Sequence, residues 1–334
     1  MHLQTKFGER GRFRSVTLSG KALEEVWLRF VLLSRDGLSL TRTTLPEPEN
    51  SPNYSTPERL VAAMGQLPAI AQVLARLQLL LSDTNSSLDD VTSLIRLDAA
   101  MSTRVVQISN SAWFKRGSAC QTIDEAVNRV GFREIFHLVS VVASRSMIAQ
   151  PLTAYKRDAQ GTWRESLACA FAAELLATRL GEDTAVAYTS GLMHGIGRLA
   201  INKCLTTTGD TGRTLVDSGF PGDFSDSELA LFGFTQADVG ALMLQKWTFA
   251  AENVQPVRHQ YDPLSAEEPH DRMSAILYGA RFLRTAVCQG EPPDEVEGAE
   301  QVFHSVRLGR SDILELLPQL EEQISRAVQI TTVS

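Results

Sequence analysis

The sequence predicts an all-α protein of many helices, and three observations carry that expectation. From Pro57 onward apolar residues recur at three- and four-residue spacing, the period of one helix face. Helix start and stop signals punctuate the pattern at short intervals, with Ser, Thr or Asp before an apolar run and Gly after it. Beyond residue 57 no stretch shows the apolar–polar alternation of a half-buried strand.

Taken in order, "LPAIAQVLARLQLLLSD" (Leu67 to Asp83) places Ile70, Val73, Leu74, Leu77, Leu80 and Leu81 at helical spacing. Pro68 suits its first turn, where a missing N–H costs nothing. "SSLDDVTSLIRLD" follows, with Ser87 and Asp90 spaced as a capping pair, and Asp98 can cap "AAMSTRVVQISNSAWF". In "TIDEAVNRVG" Thr122 and Glu125 have capping-box spacing and Gly131 suits the position just past the helix. Longer patterns cover 132–148, 155–180 and 184–203. Pro151 separates the first two, and Gly181 with Asp183 ends the second and starts the third. "TQADVGALMLQKW", "AENVQPVRHQY" and "HDRMSAILYGARFLRTAV" complete the set.

Ahead of the helices, "TTLPEPENSPNYSTPE" holds four prolines and little that could pack, which predicts a linker over 43–56. Residues 1–42 are an N-terminal extension of unknown fold, too short for an independent core. The helical domain is expected over 57–287, and 288–334 as a C-terminal extension. A break at "MIAQPLTAYKRDAQGTW" predicts lobes over 57–150 and 155–287, with the crevice between them as a ligand or partner surface.

Composition narrows the function classes. The net charge is −7 overall; residues 1–50 carry +2, leaving −9 on the rest, so no nucleic-acid partner is expected. Cys120, Cys169, Cys204 and Cys288 are isolated, which fits a reducing compartment and argues against a disulfide framework or a Cys-based zinc site. No run approaches the ~18–20 apolar residues of a membrane span. "VWLRFVLLS" is short and interrupted by Arg29, unlike a signal peptide. A cytoplasmic protein without membrane insertion is expected.

Candidate site residues begin with His194 in "SGLMHGIGRLAINK", within an apolar run and between Gly191 and Gly195. An adjacent His-Asp pair joined by a second His and a second Asp makes a divalent-metal phosphohydrolase site, in which the metal activates water and clamps phosphate. One histidine cannot hold such a metal alone, and the residue after His194 is Gly195, which offers no ligand. The expectation is therefore a packing role, with small residues one turn apart admitting a neighbouring helix. A literal His-Asp pair occurs at His270–Asp271, but at a helix start, where Asp271 complements the helix dipole. His259 reads as a polar residue at a helix end. In "QISNSAWF", Asn110 and Ser111 can satisfy the last helix carbonyls and start the turn before Trp113 and Phe114. The same aromatics would suit a partner-binding surface. No phosphate-binding glycine loop, serine elbow or kinase signature occurs.

In their order, these segments resemble the HDOD domains, a bacterial signalling family related to the HD and HD-GYP phosphohydrolases but generally lacking their metal ligands. The matching pieces run from "LPAIAQVLARLQLLLSD" through "NSAWF", "AVNRVGFREI", "TWRESLACAFAAELLA" and "SGLMHGIGRLAI" to "FGFTQADVGALMLQKWTFAAENVQPVRHQYDP". The resemblance implies an HD-like fold with a degenerate C-terminal HD lobe. Carried over residue by residue, the relatives' first His falls on Glu165, the paired His and Asp on His194 and Gly195, and the late Asp near Ala280. It thus implies a pseudoenzyme without cofactor or metal, a scaffold whose partners are other signalling proteins. Two alternatives stay open: a degenerate metal-dependent phosphohydrolase using Glu165, His194 and His259, or a sensor whose old cleft holds a nucleotide.

Overall fold

The computed structural model describes residues 3–5, 14–16, 56–65, 69–82, 86–96, 98–111, 114, 117–207, 215, 223–290 and 299–332. Most of the linker, Pro68 and Trp113 lie outside these residues. The chain forms two compact units, Met1–Ser51 and Pro52–Ser334. In the first, strand β1 (Leu3–Thr5) pairs antiparallel with β2 (Arg14–Val16), Leu3 facing Val16.

The second unit is all-α, as expected. Its chain opens with α1 (Pro57–Ala63), α2 (Ala69–Ser82), α3 (Leu88–Arg96), α4 (Ala99–Ser109), α5 (Ile123–Val130) and α6 (Phe132–Ile148). The caps read from sequence are made. Asp98 accepts from the Met101 N–H at 2.9 Å, and Thr122 Oγ1 accepts from the Glu125 N–H at 3.2 Å. Ser87 and Asp90 bond reciprocally. Gly131, at φ 91°, closes α5 and starts α6 in a conformation that L side chains rarely adopt.

The Asn110 side chain does not satisfy the last carbonyls of α4, which accept from the Asn110 backbone N–H. Its amide instead clamps the far side of the following loop, donating to the Cys120 carbonyl at 2.8 Å and accepting from the Cys120 N–H at 2.7 Å. A single side chain thereby substitutes for a strand-like pair of backbone bonds across the loop. The Ser111 carbonyl accepts from the Phe114 N–H, which makes the turn. Phe114 is buried, with the Arg326 guanidinium 5.1 Å from its ring, so it is core and not a partner-binding aromatic.

The centre of the unit is α7 (Ala159–Leu180), which is apolar on every face over Leu167–Ala173 and is accordingly enclosed by other helices. It starts at Ala159 and not at 155. Asp158 caps it, after a short 3₁₀ turn over Thr153–Tyr155. The pattern expected to run unbroken over 184–203 is two helices, α8 (Thr184–Met193) and α9 (Gly197–Thr207). His194 therefore sits where α8 ends, not inside a helix. The remaining elements are α10 (Ser225–Phe232), α11 (Gln236–Lys246), α12 (Ala251–Arg258) and α13 (Asp271–Gln289), then α14 (Ala299–Ser305), α15 (Arg310–Leu314) and α16 (Leu317–Thr332). Val302, Phe303, Ile313, Leu320 and Ile324 of the last three are buried in the common core, so residues 299–332 are integral to it. Among the described residues no helix is long and apolar enough to cross a membrane.

Two glycines set how closely helices approach. A Cβ on Gly191 would lie 2.5 Å from the Cys169 carbonyl oxygen, so α8 runs against the backbone of α7. A Cβ on Gly197 would lie 2.0 Å from the Gln236 carbonyl oxygen, which places the start of α9 on the start of α11. Gly195 has no such role: a Cβ there would meet only the Arg198 Cδ, at 3.9 Å. The close-packing expectation holds for Gly191 and fails for Gly195, whose place in the contact is taken by Gly197.

Candidate functional site at His194

The turn between α8 and α9 buries the His194 ring almost completely, at 1% exposure. Its Nδ1 lies 2.7 Å from the Gly191 carbonyl oxygen, which can only accept, so Nδ1 carries the hydrogen and donates. That leaves a lone pair on Nε2, and the Arg284 guanidinium of α13 donates to it through Nη1 at 3.2 Å. The ring is thus a neutral imidazole with a cation at Nε2. Burial, reinforced by the charges of Arg284 and Arg198, holds the His194 pKa well below the usual histidine range.

Glu165 of α7 is the carboxylate of this cluster. It lies 2.9 Å from Arg157 Nε, 3.6 Å from Arg198 Nη1 and 3.9 Å from Arg284 Nη1. One acid therefore faces three guanidiniums. Arg281, one turn before Arg284, pairs with Asp223 at 2.8 Å, donates to the Gln260 carbonyl at 2.5 Å and covers the Tyr261 ring at 4.3 Å. Arg198 lies 5.7 and 5.6 Å from the Tyr155 and Phe224 ring centres. Glu228 accepts from the Tyr155 hydroxyl at 2.8 Å and the Gln236 N–H at 2.7 Å, and burial pushes its pKa up. The His194 carbonyl accepts from the side-chain amides of Gln236 and Gln260, at 3.0 and 2.9 Å. These bonds hold the backbone of the turn while Arg284 holds the ring.

The void among Glu165, His194, Gly195 and Arg198 measures about 10 Å³, room for about one water. Small-molecule sites run to about 300–1,000 Å³. Among the described residues no group of three or more His, Cys, Asp or Glu side chains is placed to hold a metal ion.

The structure brings Glu165, His194 and Gly195 to one void but not the other named positions. Ala280 is buried on α13 and offers only a methyl group, whereas Arg284, one turn further on, reaches His194. His259 is the C-cap of α12 and lies 3.0 Å from Ser265 Oγ. It lines a different cavity with Glu267, Glu268 and His270, so a site joining it to Glu165 and His194 is not formed. Asp271 stands in the first turn of α13, as dipole complementation requires. Sequence reasoning missed Arg198, Arg281 and Arg284. The available signal was two arginines three residues apart inside the apolar run "AILYGARFLRTAV".

A depressed histidine pKa has a consequence for stability. Below the ordinary histidine pKa of about 6.5 the unfolded chain takes up a proton at residue 194 that the folded chain refuses, so stability falls as pH drops. The contribution is fully present above about pH 7.5 and declines by up to about 1.4 kcal/mol per pH unit below about 6.5. His194→Asn should show a shallower decline than the parent in urea titrations between about pH 7.5 and 5.5. Parallel pH profiles would disprove the assignment.

Comparison with known proteins agrees with the architecture. The HDOD domain family profile matches residues 67–263, more than half of the chain. A candidate signal transduction protein from Marinobacter aquaeolei VT8 superposes with a TM-score of 0.64 at 22% identity, over 95% of this chain and 68% of its own. An HDOD domain protein of unknown function from Geobacter sulfurreducens gives 0.61 at 20% identity, over 81% and 97%. A candidate phosphohydrolase from Shewanella amazonensis SB2B gives 0.57 at 23%, over 82% and 97%. An uncharacterized protein of Treponema pallidum is 24% identical over 233 residues, 69% of this chain. The chain spans only 44% of that curated relative's length. At these identities the solved structures establish the shared fold, and the profile match establishes the family: the chain belongs to the HDOD domain family.

Proposed function

We propose that this protein is a non-catalytic signal-transduction scaffold that works through contact with other proteins, and that the His194 cluster is a metal site converted to an internal brace. The observation that carries the reading is the Arg284 guanidinium on His194 Nε2, the position a metal ligand would present to its ion. The residues present do not fit a divalent cation. Gly195 supplies no side-chain donor, the Nε2 lone pair is engaged, and Glu165 already faces Arg157, Arg198 and Arg284. A guanidinium can neither polarise a water as a Lewis acid nor leave a coordination position open for substrate. The single-water void also weighs against a nucleotide in the same place.

Elemental analysis and phosphoesterase assays on full-length protein loaded with Mn²⁺ test the proposal. No stoichiometric metal and no turnover of phosphodiesters or cyclic dinucleotides are expected, with Gly195→Asp alone making no difference. Stoichiometric metal, together with turnover abolished by His194→Ala, would overturn it.

A further inference from the structure

The first two helices of the all-α unit pack in different places. α2 packs chiefly on α3, α6 and α8, whereas α1 packs chiefly across α9 and α11. Between them Gly65, at φ 79°, turns the chain away from the end of α1. By sequence α1 belongs to the lobe expected over 57–150, yet the helices it lies on belong to the other lobe.

Little holds α1 there. Of its seven residues Leu60 and Val61 are buried, while Glu58, Arg59, Ala62 and Ala63 are exposed. Thr56 stands at its N-cap in extended conformation but makes no side-chain cap bond. At the other end Lys203 Nζ of α9 donates to the Ala63 carbonyl at 2.9 Å, on the exposed surface. Helices shorter than about 12–15 residues are marginal in water on their own, so α1 is helical because it is docked. Its folding and its docking are one event, carried by a single Leu–Val pair. Such a segment belongs to the low-stability end of a fold, where opening occurs without global unfolding.

The two helices under α1 are the pair that meets backbone to backbone at Gly197 and Gln236. Gln236 in turn holds the His194 carbonyl. A helix lying across both therefore braces α9 against α11. We propose that α1 is a releasable strap: it leaves α9 and α11 as a unit while the rest of the all-α unit stays folded, and its release loosens the turn at His194. The chain enters this unit through α1, so a pull on the preceding segment reaches that turn by way of the strap.

Hydrogen exchange and urea melts on the full chain test this. In the parent, the amides of residues 61–65 should exchange at least about tenfold faster than those of 239–244 in α11. Low urea should leave the rates over 61–65 unchanged, because local opening exposes little surface. Leu60→Ala and Leu60→Asp should both fold and share one urea midpoint, since each merely releases the strap. Were α1 integral to the core, the buried aspartate would drive the midpoint far below that of Leu60→Ala. In Leu60→Asp the amides of 194–199 should exchange at least about tenfold faster than in the parent, while those of 167–173 in α7 keep their rates. Equal exchange of α1 and α11 in the parent, a Leu60→Asp chain that does not fold, or unchanged exchange over 194–199 would each overturn the proposal. Leu60 lies outside the His194 cluster and exchange needs neither metal nor turnover, so the outcome is independent of the scaffold assignment.

Discussion

Gly197→Ala is expected to destabilise the protein by about 3 kcal/mol or more, enough to unfold a marginal domain. A methyl group there would lie 2.0 Å from the Gln236 carbonyl oxygen and 2.8 Å from the Gly240 nitrogen. Both are backbone atoms, so no side chain can swing away; α9 and α11 must separate. That separation would also pull Gln236 from the His194 carbonyl and from the Glu228 carboxylate, which its backbone N–H reaches at 2.7 Å. Gly195→Ala is the matched control. Its Cβ meets nothing closer than 3.9 Å, and alanine's smaller unfolded-state entropy is worth about 0.4–1 kcal/mol where the backbone accepts it. Urea melts should therefore separate two glycines only two residues apart. Equal midpoints would show that α9 and α11 can part without cost.

This pair also shows what the sequence could and could not convey. A glycine flanking a histidine in an apolar run announces close packing, but the partner helix that decides which glycine is squeezed lies some forty residues away. Local chemistry was readable: Asp98, Thr122 and Asp183 each cap a helix through bonds to residues two or three positions on. Such bonds depend on nothing but their own segment. The break at His194 was not readable, since 184–203 keeps helical periodicity throughout and the turn is stabilised by Gln236 and Gln260 from later helices. The arginines failed for the same reason. Arg281 and Arg284 look like a solvated stripe until Asp223 and Glu165 arrive from distant positions to neutralise them. Residues 299–332 looked like an appendage because their buried face is complementary to α13, where Tyr278 and Phe282 meet Phe303 edge-on at 6.1 and 5.5 Å.

Arg284→Ala is expected to cost about 2–5 kcal/mol, the range for truncating a large buried side chain to alanine, since Glu165 keeps Arg157 and Arg198. The substitution leaves His194 Nε2 without a donor, removes one of the guanidiniums facing Glu165 and opens a cavity in a site with little room to collapse. Arg284→Met restores much of the volume without the charge and should recover part of that loss. Arg284→Lys should not match the parent, since a compact ammonium cannot reproduce the planar fork whose Nη1 meets His194 Nε2 near Glu165 while Nη2 donates to Thr285 Oγ1. The decisive readout is the pH dependence. The guanidinium is one of the charges that depress the His194 pKa, so its removal lets that pKa move back toward about 6.5, limited by the burial that remains. The folded variant then takes up a proton that the parent refuses. Its penalty relative to the parent should therefore shrink as pH falls below about 6.5. A merely steric role for Arg284 would give a penalty independent of pH. A penalty that grew on acidification would mean that the imidazole is already protonated beside the guanidinium, and the brace could not be a cation replacing a metal on a neutral histidine.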